Sequence, residues 1–310
     1  MISRRRMLAL LAGSPALQPA FAAPQADFTT GVRIVSLLVT VRDKSGKFLN
    51  DLDQGDFVVE EDGHPQTISY FSREDDLPLT LGLLVDISSS QFEVLPEELT
   101  ASDVFFKKVL REGVDQAFLE CFATRAWLLQ NVTGSRDKLQ EALEVLRRGL
   151  RDPRSAGGTV LYDSVSDASE LIMKRYQGRK ALILLTDGED TSSQGSLELA
   201  ISLCQRYDTL AYCVGIGTGL ARGAAVLDEL SKKTGGRYFA VSKKETVDVI
   251  YGTIEEELRS QYNIGYLPAP VAPAKADGKP SKNANGFHKI RVTVKRSGVT
   301  TRTRDGYYSS

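Results

Sequence analysis

The chain has 310 residues, of which 42% are hydrophobic and 25% charged, so it can bury a sizeable core and form more than one domain. Its formal net charge of -1 provides no electrostatic reason to expect binding to nucleic acid or to an anionic membrane surface. It has 3 cysteines, an odd number that cannot all pair within one chain, which argues against a disulfide-based fold.

The N-terminus has the pattern of a cleavable signal peptide over residues 1–23. Three arginines at 4–6 precede a short apolar stretch, and small residues end it near Ala22 or Ala23. The apolar stretch is too short for a spanning helix, so we expect no stable transmembrane anchor. Residues 3–8 resemble the bacterial twin-arginine export motif, with the general secretory route as the alternative. The predicted location is therefore periplasmic or extracellular.

Both flanks of the chain have β character. Residues 32–42 and 56–65 predict strands and turns in the N-terminal flank, and residues 261–267, 288–295 and 298–304 predict strands in the C-terminal one. Neither flank has enough strands for a stable core by itself. We therefore predict that 27–76 and 261–310 pair into one small β-sandwich. Its Pro-, Ala- and Lys-rich segment 268–285 predicts a mobile loop within a hairpin.

The region between the flanks, residues 77–260, alternates strand and helix patterns. An unbroken apolar run at 79–85 is typical of a strand buried on both faces. After Thr159, apolar residues recur at a helical period through Leu171 and Ile172. The alternation predicts an α/β fold, a doubly wound and mostly parallel six-stranded sheet inserted into the chain of the β-sandwich.

Oxygen-bearing side chains follow two strands of this predicted sheet. Asp86, Ser88 and Ser90 come directly after the first strand, and Asp187 follows the strand at 181–186. Thr159, preceded by two glycines, opens a predicted helix. Ligands bind beyond the carboxyl ends of strands in open α/β sheets, and Mg²⁺ takes about six hard oxygen ligands. These five residues are our predicted metal ligands, with helix or turn capping by Asp86 and Asp187 as the alternative.

The segments DISSS at 86–90, GGT at 157–159 and TDGED at 186–190 resemble, in that order, the metal-ion-dependent adhesion site (MIDAS) of von Willebrand factor type A domains. The resemblance implies a Rossmann-like fold and a bound Mg²⁺ or Mn²⁺. It further implies direct coordination by Ser88, Ser90 and Thr159, with Asp86 and Asp187 acting through water. A carboxylate of the bound partner would fill the sixth position. The β flanks resemble those of a group of bacterial exported proteins with such a domain.

These features favour a non-enzymatic adhesion or scaffolding module whose protein partner presents an exposed Asp or Glu. The alternative is a hydrolase in which Glu189 is the base for a Mg²⁺-activated water. The glycines at 215–219 lack the spacing of a nucleotide-binding loop, and predict a flexible loop at the same sheet edge. His64 and His288 stand alone, so zinc is not expected. The cysteines look buried, and a Cys204–Cys213 bridge is the less favoured possibility.

Overall fold

The computed structural model describes residues 34–73, 77–91, 95–149, 157–217, 220–268 and 286–308. The strands in chain order are β1 (Val35–Asp43), β2 (Phe57–Glu61), β3 (His64–Gln66), β4 (Ile68–Arg73), β5 (Leu79–Asp86), β6 (Gln116–Phe122), β7 (Ala126–Thr133), β8 (Arg179–Thr186), β9 (Thr209–Gly215), β10 (Tyr238–Ala240), β11 (Gln261–Tyr266), β12 (Phe287–Val294), β13 (Val299–Arg302) and β14 (Gly306–Tyr308). The helices are α1 (Leu95–Val109), α2 (Arg136–Gly149), α3 (Leu161–Asp167), α4 (Leu197–Arg206), α5 (Leu220–Thr234) and α6 (Val247–Arg259).

The central sheet has six strands in the order β10-β9-β8-β5-β6-β7. All neighbouring pairs are parallel except β6 and β7, which are antiparallel. Every residue of β5 and β8 is buried, because helices cover both faces of the sheet. One apolar core packs under α1, α2 and α6, and the other under α3, α4 and α5. The predicted doubly wound α/β sheet is thereby confirmed.

The helix after Thr159 differs from its predicted periodicity. α3 continues as a π-helical turn, Ala168–Ile172, and then as a 3-10 turn, Met173–Arg175. A π turn adds a residue to each hydrogen-bonded ring and so shifts the buried face. Leu171 is consequently 52% exposed, whereas Met173 is fully buried. The prediction that the apolar face extends through Leu171 is wrong for this reason.

The flanks form two antiparallel sheets with the orders β13-β1-β11-β4 and β14-β12-β2-β3. They share a core in which Leu37 and Ile264 of the first sheet pack with Val59 and Val292 of the second. Because β11 and β12 lie in different sheets, the predicted hairpin around 268–285 is wrong. Residues 269–285 and the predicted signal peptide at 1–23 lie outside the described residues. The division of the chain at 76/77 and 260/261 remains our proposal.

Histidine 288 does not stand alone, contrary to the sequence prediction. It is 6% exposed, and its Nδ1 lies 2.9 Å from Asp62 Oδ2 and 3.3 Å from Glu61 Oε1. Tyr266 donates a 2.5 Å hydrogen bond to Glu61, and Tyr307 stacks on the imidazole. The histidine therefore links the two flanks through β2 and β12, which are paired strands.

The described helices include none that is both long and apolar enough to span a membrane. The cysteines are free and buried in this structure, so the less favoured Cys204–Cys213 bridge is not formed.

Candidate metal centre

Asp86 is the last residue of β5 and is completely buried. Its Oδ1 accepts a 2.8 Å hydrogen bond from the Ser88 amide, and its Oδ2 accepts one of 2.6 Å from the Thr186 hydroxyl. Burial, with a smaller contribution from the nearby Asp187 carboxylate, raises the pKa of this carboxyl to about 6, although the hydrogen bonds from Thr186 and Ser88 act in the opposite direction. The carboxylate is thus held rigidly where a cation would favour its charged form.

Ser88 and Ser90 lie on the turn that follows β5. Ser88 is buried and Ser90 is exposed, and their Oγ atoms are 3.2 Å apart. Ser90 Oγ also donates a 2.7 Å hydrogen bond to Asp187 Oδ2. Because β5 and β8 are neighbouring parallel strands, their carboxyl ends bring residues 97 positions apart into direct contact.

Asp187, which is 2% exposed, is positioned by a tight turn after β8. Its Oδ1 accepts a hydrogen bond of 3.1 Å from the Glu189 amide. Gly188 has φ +81°, a conformation that side chains disfavour, and its amide donates to Thr186 Oγ1 at 3.1 Å. Gly223 of α5 packs against this turn so closely that a Cβ on it would lie 1.9 Å from Asp187 O. The first turns of α5 therefore support the Asp187 loop directly.

Thr159 is 5% exposed and is held by the loop that follows Asp187. Its amide donates to Thr191 Oγ1 at 2.9 Å, and its carbonyl accepts hydrogen bonds of 3.0 Å from the amides of Thr191 and Ser192. Gly158 has φ +88°, and the place of a Cβ is taken by Ser192 Oγ, 2.2 Å away. Thr159 Oγ1 makes no hydrogen bond to any described residue, which leaves this hydroxyl available as a ligand.

A continuous hydrogen-bond network therefore connects four of the predicted ligands, Asp86, Ser88, Ser90 and Asp187. Thr186 belongs to the same network through its hydrogen bond to Asp86. Thr159 is connected to the same edge through the loop after Asp187. Asp190, the last residue of the TDGED segment, accepts a 3.0 Å hydrogen bond from the Tyr162 amide and so anchors the start of α3.

Sequence reasoning missed several supporting residues. Thr186 is the first residue of the TDGED segment, and Thr191 and Ser192 directly follow it, so proximity in sequence was a usable signal. Gln91 is 1% exposed, and its Nε2 donates to Ile216 O at 3.4 Å, tying the turn after β5 to the end of β9. The sequence around Gln91 and Gly223 does not reveal their role, because each contacts a residue that is distant in the sequence: Ile216 for Gln91 and Asp187 for Gly223.

The donor set fits a hard divalent cation. Three hydroxyl and two carboxylate groups supply only oxygen atoms, which Mg²⁺ and Mn²⁺ prefer, and no thiol or imidazole lies among the five predicted ligands. Two buried carboxyl groups at one site also favour a positive charge between them.

Residues 122–253 match the family model of the von Willebrand factor type A domain. This chain contains a von Willebrand factor type A (VWA) domain. The match includes Thr159 and Asp187 but begins after the DISSS segment, so the resemblance of Asp86, Ser88 and Ser90 to the MIDAS rests on their sequence and their place in the fold. No curated protein matches the chain.

Two solved structures of one protein have TM-scores above 0.5 against this chain, which indicates a shared fold. Proximal thread matrix protein 1 from the mussel byssus, with a zinc-occupied MIDAS motif, is 19% identical with a TM-score of 0.51, and the match covers 65% of this chain and 50% of that one. A second structure of that protein gives 18% identity and a TM-score of 0.51, covering 64% and 51%. BatB from Bacteroides thetaiotaomicron is 16% identical with a TM-score of 0.45, covering 58% and 97%. The chain thus spans about half of the mussel protein.

Proposed function

We propose that the protein is an exported, non-enzymatic module that binds a protein partner through a divalent cation. The observation that carries this proposal is the convergence of Asp86, Ser88, Ser90 and Asp187 at the carboxyl edge of the central sheet. The ion is Mg²⁺ or Mn²⁺, and the partner presents an exposed Asp or Glu whose carboxylate completes the coordination.

The roles of the five residues follow from their surroundings. Both carboxylate oxygens of Asp86 and both of Asp187 already accept hydrogen bonds, which supports a position behind intervening water. The hydroxyls of Ser88, Ser90 and Thr159 are then the direct ligands. Neutral hydroxyls leave a dication strongly electrophilic, and such an ion attracts an anionic oxygen from outside. This charge balance favours an acidic partner.

The position of the histidines also supports binding over catalysis. The chain has 2 histidines, and His64 and His288 lie in β3 and β12, strands of the flanking sheets. The commonest general base is therefore absent from the metal site, and hydrolysis would have to rely on a carboxylate such as Glu189. Export is inferred from the basic and apolar pattern of residues 1–23.

The metal requirement is tested by thermal unfolding with Mg²⁺, with Mn²⁺ and with a chelator. A cation at 100 times its Kd stabilises the folded state by about 2.7 kcal/mol, which Asp86→Ala and Ser88→Ala should abolish. Ser89→Ala is the matched control, since Ser89 is exposed and makes no hydrogen bond in the described part of the chain. Identical wild-type melting curves with metal and with chelator would reject the metal site.

Partner binding is tested by metal-dependent capture from the exported proteome. We expect proteins retained by the wild type and by Ser89→Ala to be released by chelator and lost with Ser88→Ala. Equal retention by Ser88→Ala would contradict binding through the ion. Chelator-sensitive turnover of phosphate or ester substrates would instead support the hydrolase.

A further inference from the structure

A second polar site lies at the opposite edge of the central sheet, where the VWA domain meets the flanking sheets. A cavity of about 200 Å³ opens beside the first residues of β8 and β9, whereas the metal site lies beyond their last residues. Its polar lining comes from both parts of the chain: Ser36, Asn263 and Arg304 from the flanks, and Lys180, Gln205 and Asp208 from the centre.

Lys180 is the most unusual group in this cavity. Its residue is only 6% exposed, yet its ammonium makes no hydrogen bond or ion pair with any described residue. Burial lowers the pKa of Lys180, while Asp208 acts in the opposite direction. A buried cation without a partner is costly, and buried charges in proteins are normally paired. No described residue accepts a hydrogen bond from the Lys180 ammonium, which lines the cavity.

Two further groups lining the cavity have unused hydrogen-bonding capacity. Arg304 is 8% exposed, and its Nη atoms donate to the carbonyls of Gln205 and Ser36, but its Nε–H has no partner among the described residues. Gln205 is 2% exposed and uses its Nε2 on Lys233 O and Asp305 Oδ1, while its Oε1 has no partner within the described ranges. Both atoms are closed to solvent, however, so neither is available to a ligand in the cavity.

The charge around the cavity favours an anion. Two cations, Lys180 and Arg304, face one carboxylate, Asp208, which is already paired with Arg304 at 2.6 Å. The C-terminal carbonyls of α4 and α5 point here as well, but Gln205 O accepts from Arg304 and Lys233 O accepts from Gln205 Nε2. The negative ends of these helices are therefore already offset by donors.

Apolar side chains form the remaining wall of the cavity. Leu38, Leu77 and Leu210 line it together with the charged groups. An inorganic anion would leave these leucines against solvent, whereas a short hydrocarbon chain would cover them. A volume of this size holds a molecule of roughly four to eight non-hydrogen atoms, since each water occupies about 30 Å³ in the liquid.

We propose that this cavity binds a short-chain carboxylate of about two to four carbons, with its carboxylate beside the Lys180 ammonium. The carboxylate accepts a hydrogen bond from Lys180 Nζ, and the hydrocarbon part contacts the leucine wall. The ligand thereby links the VWA domain to the flanking sheets.

Isothermal titration calorimetry on the full chain tests this site with propionate, lactate and inorganic phosphate as probes. EDTA is included so that no carboxylate binds through a metal ion, and sodium chloride keeps the ionic strength constant. We expect lactate and propionate to bind with similar affinities, and phosphate to bind at least threefold more weakly than either. Lys180→Met should weaken lactate binding at least tenfold, because it removes the charge but keeps the length of the side chain.

Two further variants make the outcome decisive. Lys108→Met is the matched control, since Lys108 is exposed near the end of α1, and it should bind lactate like the wild type. Asp208→Asn should bind lactate more tightly, a gain that misfolding cannot imitate, and asparagine tolerates the φ of +53° at this position. Equal lactate affinities in the wild type and Lys180→Met, tighter binding of phosphate, or no heat above the chloride reference would overturn the proposal.

Discussion

Glu120 shows how a single buried acid couples stability to pH. It lies in β6 between Phe118 and Phe122, is 4% exposed, and its Oε1 has no hydrogen-bond partner among the described residues. Burial raises the pKa of Glu120 from 4.5 to about 8, and Asp167 contributes in the same direction. Between these two values the folded state holds more protons than the unfolded state, so its stability falls as the pH rises.

We therefore predict that Glu120→Gln removes this loss of stability. The free energy of unfolding of the wild type should fall between pH 4.5 and 8 by at most about 1.4 kcal/mol per pH unit relative to the variant. Urea denaturation at pH 5, 6.5 and 8 measures the difference. Glu141→Gln, at an exposed position of α2, should track the wild type. A difference between Glu120→Gln and the wild type that does not change with pH would contradict the prediction.

At the residue scale, sequence reasoning found side chains whose chemistry is visible locally. Asp86, Ser88, Ser90, Thr159 and Asp187 were predicted as ligands because hydroxyls and acids follow predicted strands or open a predicted helix. The partners of His288 were not found, because Glu61 and Asp62 lie 226 or more positions away. Their contact depends on the antiparallel pairing of β2 with β12, which composition and spacing do not reveal.

At the element scale, α5 matters because its backbone lies directly against the loop that carries Asp187. The contact is made by Gly223, where a Cβ would meet Asp187 O at 1.9 Å and the Cα of Gly188 at 2.7 Å. Both neighbours are backbone atoms, so a side chain cannot be accommodated by a simple change of rotamer. The position of the helix therefore constrains the loop that carries Asp187.

We predict that Gly223→Ala lowers the free energy of unfolding by about 1–3 kcal/mol and reduces the stabilisation by Mg²⁺. Gly252→Ala is the matched control, because a Cβ at this position of α6 has no neighbour within 4 Å. That substitution should stabilise the protein by about 0.5–1 kcal/mol, as expected in a helix interior, and leave the Mg²⁺ effect unchanged. Chemical denaturation with and without Mg²⁺ distinguishes the two. An unaltered Mg²⁺ effect in Gly223→Ala would show that α5 does not position the loop.

At the scale of the whole molecule, the flanking sheets and the VWA domain are joined by buried polar contacts. Arg42 of β1 donates to Glu257 of α6 at 2.9 Å, and the glutamate side chain is only 1% exposed. Glu257 Oε1 and the hydroxyl of Tyr212 have no hydrogen-bond partner among the described residues. Burial raises the pKa of Tyr212, and the nearby Glu257 carboxylate raises it as well. Glu257 is thus a buried charge that depends on a residue of the other part of the chain.

We predict that Arg42→Met lowers the free energy of unfolding by on the order of 3 kcal/mol, since it leaves the Glu257 carboxylate without its counter-charge. The double variant Arg42→Met/Glu257→Gln should recover more than half of that loss, because the buried charge is gone. Arg291→Met is the control, because Arg291 is 72% exposed and its ion pair with Glu60 is long, at 4.0 Å. This substitution should change the free energy of unfolding little. Guanidinium denaturation measures all three, and a double variant no more stable than Arg42→Met would refute this account.

The sequence by itself determined the α/β class, the six-stranded central sheet, the β character of both flanks and five candidate ligands. These depend on local information: apolar runs, helical periods and polar residues placed at strand ends. Tertiary structure alone decided that β11 and β12 belong to different sheets, that a π turn exposes Leu171, and that Gly223 and Gln91 support the metal-site edge. It also brought Lys180, Gln205 and Arg304 around one cavity. These features depend on packing between segments that are far apart in the sequence. No single segment therefore contains the information that would predict them.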